Sequence, residues 1–110
     1  MAKKRPDTAC ILDMKNAVQL ALQFTSGLNQ EQFESDSKCQ SAVLYQLAVL
    51  GEAAKQVSKN FREAHPEFHW KGMTGLRDIL IHAYHGLDMD VIWKIVSSDL
   101  PKLLSNLQRV

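Results

Sequence analysis

The sequence predicts an all-helical fold, and three observations lead there. Apolar residues recur at spacings of three and four along most of the chain, no stretch alternates apolar and polar residues as a strand would, and glycine and proline are sparse. At 110 residues, with 45% apolar and 23% charged residues, the composition is that of a globular protein. The length suits a single domain over residues 1–110 with a core of its own. We expect an antiparallel bundle of four to five helices, since short connections favour antiparallel neighbours.

Taken in order, a first helix starts at Asp7 or Thr8 after Pro6, carries Ile11, Met14, Val18, Ala21 and Thr25 on one face, and stops at Gly27 and Asn29. Residues 28–36 lack clear periodicity, and Phe33 can pin them to the core as a loop or short helical turn. Ser37 and Gln40 have the spacing of a capping box, with Ser37 as N-cap of a second helix. Its stripe of Val43, Leu47, Leu50, Ala54, Val57 and Phe61 is the longest in the chain and makes it the central packing element. The small residues Ala48, Gly51 and Ala53 let another helix approach closely. Pro66 marks the end of helical pattern there. A third helix is predicted from about Trp70 to Gly86, the latter as a C-cap. Asp88 or Asp90 caps a short helix with Val91, Ile92, Ile95 and Val96, and Ser98 caps a last one that tolerates Pro101 in its first turn.

Composition excludes several function classes. A net charge of +1 advertises no nucleic acid by overall basicity, so an electrostatic footprint has to be local. The basic start, Met1 to Arg5, runs into Pro6-Asp7-Thr8 and not into an apolar core, so it does not read as a signal peptide. Gln46 and Glu52 interrupt the longest apolar candidate, so no bilayer span is expected and the protein reads as soluble and cytoplasmic. Cys10 and Cys39 stand far apart without a CxxC, against a disulfide framework or structural zinc. Both read as buried or half-buried thiols.

The chemically loaded stretch is Arg77-Asp78-Ile79-Leu80-Ile81-His82-Ala83-Tyr84. On a straight helix Arg77 and Tyr84 fall within about 20° of each other, whereas Arg77 and His82 diverge by about 140°. Either the helix loosens near His82, or the same stretch of a second copy completes the site across a two-fold axis, which uses the motif best. An arginine and a histidine without an acidic metal cluster suit metal-independent cleavage of an RNA phosphodiester. Histidine can take the 2′-hydroxyl proton or protonate the leaving oxygen, and arginine can hold the phosphate as charge builds.

The spacing Arg77, four residues, His82, one residue, Tyr84 resembles the signature of HEPN-domain ribonucleases of the HepT toxin type. Leu50-Gly51-Glu52-Ala53-Ala54-Lys55, Pro66 and Trp70, Gly75-Leu76, Gly86-Leu87-Asp88, Trp93 and Asp99-Leu100-Pro101 follow the same family in order, so the resemblance spans nearly the whole chain. Asp78 stands where the family often has Asn, and His69 where a proline is common. The resemblance implies a HEPN-like helical homodimer whose Arg77 and His82 motifs meet at the interface, acting as a metal-independent endoribonuclease toxin without a cofactor. It also implies a partner, a minimal nucleotidyltransferase antitoxin of MntA type, which silences the toxin by transferring AMP from ATP onto Tyr84. A bulky anion beside Arg77 and His82 would repel RNA phosphate.

Other residues carry two readings each. Lys55, Lys59 and Arg62 form either a phosphate-tracking stripe, extended by Lys71, or a solvated face. Glu52, with Asp78 an auxiliary candidate, pairs with Arg77, orients His82 or is a plain surface carboxylate. His65 with His69, and His82 with His85, lack a carboxylate or thiol at metal-ligand spacing. Trp70 and Trp93 read as core or interface anchors. The rival to the enzyme is a non-catalytic helical module that docks a nucleotidyltransferase or nucleic acid through the same surface.

Overall fold

The computed structural model describes residues 5–84 and 88–110, with the backbone alone at 82–84. The expected basic tip at Met1–Lys4, the C-cap at Gly86 and the side chains of His82, Tyr84 and His85 lie outside the described residues. Among those described, the elements are α1 (Asp7–Thr25), α2 (Gln30–Glu34), α3 (Ser37–Gln56), α4 (Lys59–Ala64), α5 (Trp70–Thr74), α6 (Leu76–Tyr84), α7 (Met89–Lys94), a π-turn (Ile95–Asp99) and α8 (Leu100–Leu107). No strand occurs among them. The all-helical expectation holds, although several expected long helices are divided into short ones.

The two long helices, α1 and α3, form the frame. They run antiparallel. Cys39 at the start of α3 donates through Sγ to the Phe24 carbonyl near the end of α1 (3.4 Å), while Ser58, just past α3, binds Asp7 at the start of α1. Cys10, Met14, Val18 and Ala21 of α1 are buried with Val43, Leu47, Leu50 and Ala54 of α3. Apart from Cys10, these belong to the predicted stripes. Phe33 of α2 is fully buried and its ring meets Trp93 at 5.5 Å between centroids, so α2 is a lid whose single apolar residue plugs the core. Gln30 and Asp90 join α2 to α7 by a side-chain hydrogen bond. Ile92, Val96, Leu100 and Leu107 close the core from the C-terminal side, where α8 packs on α1.

Four boundaries differ from expectation. Asp36, and not Ser37, is the N-cap of α3, accepting from the Cys39 amide (2.9 Å); Gln40 turns its amide to the Phe33 and Glu34 carbonyls. A capping box does occur one element earlier, between Asn29 and Gln32. The stripe through Phe61 is not one helix. Val57 is extended (ψ 138°), and the Ser58 hydroxyl accepts from the Phe61 amide (3.1 Å) to start α4 afresh. The third expected helix is divided at Gly75 into α5 and α6. Ser98 caps nothing, because α7 continues through the π-turn into α8, whose first turn holds Pro101.

Gly51 sets how α6 sits on the frame. A Cβ there would lie 3.1 Å from the Met73 carbonyl oxygen and 3.4 Å from the Leu76 Cβ, tighter than ordinary contact. Its missing side chain lets the α5–α6 junction lie directly on α3, with Met73 and Leu76 buried against it. The small-residue patch predicted this close approach.

Candidate functional site

Arg77 lies in the first turn of α6, one residue after the buried Leu76 that anchors this helix to α3. Burial of Leu76 turns its neighbour outward. The Arg77 side chain is 65% exposed, and its Nη1 stands 3.8 Å from Oε1 of Glu52, which is 53% exposed. Glu52 follows Gly51, so the close approach at Gly51 carries the carboxylate to the arginine. The same Oε1 lies 3.9 Å from Lys55 Nζ, one turn along α3. Two cations from different helices thus share one carboxylate oxygen. Asp78 is exposed beside Arg77, in the first turn of α6 where a negative charge suits the helix dipole.

The α6 backbone is helical through Tyr84, so the positions of Arg77 and His82 are joined by unbroken helix and stand about 140° apart around its axis. The expected loosening toward Gly86 does not begin before the end of α6 at Tyr84. Two exposed apolar residues flank the Glu52 and Arg77 pair. Tyr45, two turns before Glu52 on α3, is 67% exposed, and Ile81, one turn after Arg77 on α6, is 53% exposed. A shallow groove of about 270 Å³, lined by Asp13, Ala48, Val49, Glu52, Ala53 and Gln56, leads to Glu52 between α1 and α3.

The predicted basic stripe divides. Lys59 is exposed, with Glu63 3.8 Å away one turn along α4, and Lys55 faces solvent beside Glu52. Arg62 is half-buried and folded inward. Its Nη2 donates to the Ala54 and Lys55 carbonyls (2.8 and 3.0 Å) and its guanidinium lies 5.7 Å from the centre of the Trp70 ring. It thereby adds a second donor at the Ala54 carbonyl, which also accepts from the Val57 amide, and serves the Lys55 carbonyl at the C-terminal end of α3. Residue spacing alone hid this role. The signal lay in Trp70, an aromatic face within reach of an arginine.

Around Trp70 a small aromatic cluster fixes the segment between α4 and α5. Phe61 stacks on His65 (4.2 Å between centroids), the Trp70 indole N–H donates to the His65 carbonyl (3.0 Å), and Phe68 is buried against Trp70. Glu67 reaches His65 Nδ1 at 3.1 Å; a hydrogen bond from its own backbone, then that from His65, hold its carboxyl below the usual range. Among the described residues no group of three His, Cys, Asp or Glu side chains stands close enough to hold a metal ion. No helix among them is long and apolar enough to cross a membrane.

A second cleft, larger than the groove beside Glu52, lies elsewhere. About 540 Å³ opens between the α5–α6 segment and the π-turn with α8, over Leu50, Phe68, Met73, Leu76, Ile79 and Leu103. Among the expected site residues whose side chains are described, none lines it.

An all-α bundle built on two long antiparallel helices, with a short helix presenting an exposed arginine, is the build of a HEPN-like domain. The chain belongs to the HepT-like ribonuclease family, whose description, Ribonuclease HepT-like, matches residues 14–110. It is similar to a protein of Thermococcus cleftensis named "Probable ribonuclease HepT", with 38% identity over 97% of each chain. A protein of Methanocaldococcus jannaschii named "Putative RNase MJ1380" is 36% identical over 97% of this chain and 98% of its own. A third, "Putative RNase TTE0752" of Caldanaerobacter subterraneus, is 32% identical over 84% of this chain and 82% of its own. No solved structure matches the chain.

Proposed function

We propose that this protein is a metal-independent endoribonuclease, the toxin of a toxin–antitoxin pair, working through a composite site of Arg77 and His82 at a homodimer interface. Membership of the HepT-like ribonuclease family over residues 14–110, a span that contains the whole Arg77 to Tyr84 motif, carries this reading. Arg77 binds the phosphate and stabilises the charge that builds on it, and His82 moves the proton to and from the ribose 2′-oxygen and the leaving oxygen. Glu52 and Asp78 are auxiliary, Lys55 and Lys59 track the RNA backbone, and Arg62 supports them from beneath by ending α3.

The angular separation of Arg77 and His82 on an unbroken helix supports the second copy. One helix presents them to different sides, so the His82 that serves Arg77 comes from a partner related by a two-fold axis. Exposed Ile81, one turn after Arg77 on α6, and exposed Tyr45, two turns before Glu52 on α3, supply apolar surface for that contact. The antitoxin is a minimal nucleotidyltransferase of MntA type that adenylylates Tyr84, placing a phosphate on the helical face that carries Arg77 and blocking the substrate's own.

The test is cleavage of total cellular RNA in EDTA by the purified protein and by His82→Ala, with oligomeric state and circular dichroism recorded for both. Wild type should cut and His82→Ala should not, while both stay folded and dimeric. Intact RNA with wild type, and equal harmlessness of both proteins in cells, would leave the non-catalytic docking module as the better reading.

A further inference from the structure

Glu52 stands where a substrate phosphate is wanted. Its Oε1 lies 3.8 Å from Arg77 Nη1 and 3.9 Å from Lys55 Nζ, so one carboxylate oxygen faces a cation from α6 and a cation from α3. Carboxylate and phosphate are the two anions for which a guanidinium has matching geometry. We infer that Glu52 is an anionic placeholder: in the free protein it occupies the seat between Lys55 and Arg77 that an RNA phosphate takes on binding, and it must yield for RNA to enter. The inference rests on the ribonuclease reading above and adds a regulatory element to that same surface.

Three observations carry it. All three side chains are substantially exposed: Lys55 40%, Glu52 53% and Arg77 65%. Exposed pairs of this kind contribute little, so displacement is easy. The distances exceed hydrogen-bond length, so the carboxylate neutralises the two cations without locking either. Glu52 is itself fixed by its backbone. It lies inside α3 next to Gly51, which is clamped under Met73 and Leu76, so the carboxylate is held near the seat while its side chain can swing aside. A carboxylate held there lowers the local positive field, and with it the number of counterions that RNA releases on binding.

This differs from a role in orienting Arg77. An orienting Glu52 would aid binding, whereas a placeholder competes with it. Binding of a short fluorescein-labelled 2′-O-methyl RNA of mixed sequence separates the two, since its blocked 2′-oxygen prevents cleavage and the electrostatic term is independent of sequence. Anisotropy titrations over a salt series would compare wild type, Glu52→Gln, Glu52→Asp, Arg77→Ala and Glu52→Gln combined with Arg77→Ala. Glu52→Gln should bind several-fold tighter at low salt, with a log K against log salt slope steeper by roughly 0.7. Glu52→Asp, which keeps the charge, should restore the wild-type slope, and the gain should shrink when Arg77 is absent. Equal or weaker binding by Glu52→Gln, with unchanged slope, overturns the placeholder and leaves the ribonuclease reading standing. Failure of folded wild type and Glu52→Gln alike to bind the RNA at low salt overturns both.

Discussion

Asp7 accepts two hydrogen bonds from Ser58, one from its backbone N–H at 2.8 Å and one from its hydroxyl at 2.6 Å, across fifty-one residues of sequence. The first residue of α1 thereby fixes the N-cap of α4. The Ser58 hydroxyl at the same time accepts from the Phe61 amide, so one serine ties the start of α1 to the start of α4. Hydrogen bonds to a charged group contribute about 1.5–3 kcal/mol. Asp7→Ala should cost about that much in urea unfolding, while Asp7→Asn, which keeps one acceptor oxygen, should cost less. Equal stability of Asp7→Ala and wild type would show that the contact does not hold the helices together.

Gly51 tests how tightly the Arg77 helix is mounted. In a helix interior alanine is favoured over glycine by about 1 kcal/mol. Here, however, the added methyl would sit 3.1 Å from the Met73 carbonyl oxygen, and overpacking costs about 1–3 kcal/mol. The obstructing atom is backbone at the end of α5, so it cannot rotate away. Gly51→Ala should therefore be neutral to destabilising by up to about 2 kcal/mol, and should reduce RNA cleavage by displacing α6, the helix that carries Arg77 and His82. A net gain in melting temperature with full activity would mean that the contact relaxes freely.

Arg62 and Lys59 read alike in the sequence and should behave oppositely. Arg62→Ala removes two hydrogen bonds to α3 carbonyls and the contact with Trp70, with a loss of about 2–3 kcal/mol in stability. Lys59→Ala changes only an exposed side chain, 88% accessible, and should stay within about 0.5 kcal/mol of wild type. If Lys59 tracks the RNA backbone, its loss lowers the salt slope of binding by roughly 0.7. Chemical denaturation and the salt series together check both.

Local chemistry explains which parts of this fold could be read in advance. Pro6 with Asp7 and Gly27 punctuate α1 so clearly that its ends fall where the pattern places them. The break at Val57 could not be read, because the apolar period runs on through Val57 to Phe61 as though the helix continued. What stops it is Asp7, distant in sequence. The join from α7 to α8 was hidden for the converse reason: Ser98 looks like a cap, but buried Ile95 and Val96 hold the chain helical through the π-turn. At the site, Ala48, Gly51 and Ala53 announced a close approach without naming the partner. Only the fold shows that Leu76 fills the space and so brings Arg77 to Glu52.

Cys39 provides a pH-dependent check on the α1–α3 contact. Burial foremost, and then the nearby Asp36 charge, push its thiol above the ordinary value of 9.0, and its Sγ faces the Phe24 carbonyl. A raised thiol pKa means that the neutral form is the one the fold favours. Its contribution to stability is complete below the ordinary thiol range and is lost as pH rises through the folded value. Because the thiolate is the nucleophile, iodoacetamide should alkylate Cys39 more slowly in the folded protein than in urea, with the rate rising steeply at alkaline pH. Cys10, fully buried, should react only on unfolding. Mass spectrometry of each cysteine over a pH series checks this, and Cys39 labelling as fast in the folded chain as in urea would show that the ends of α1 and α3 are not closed against each other.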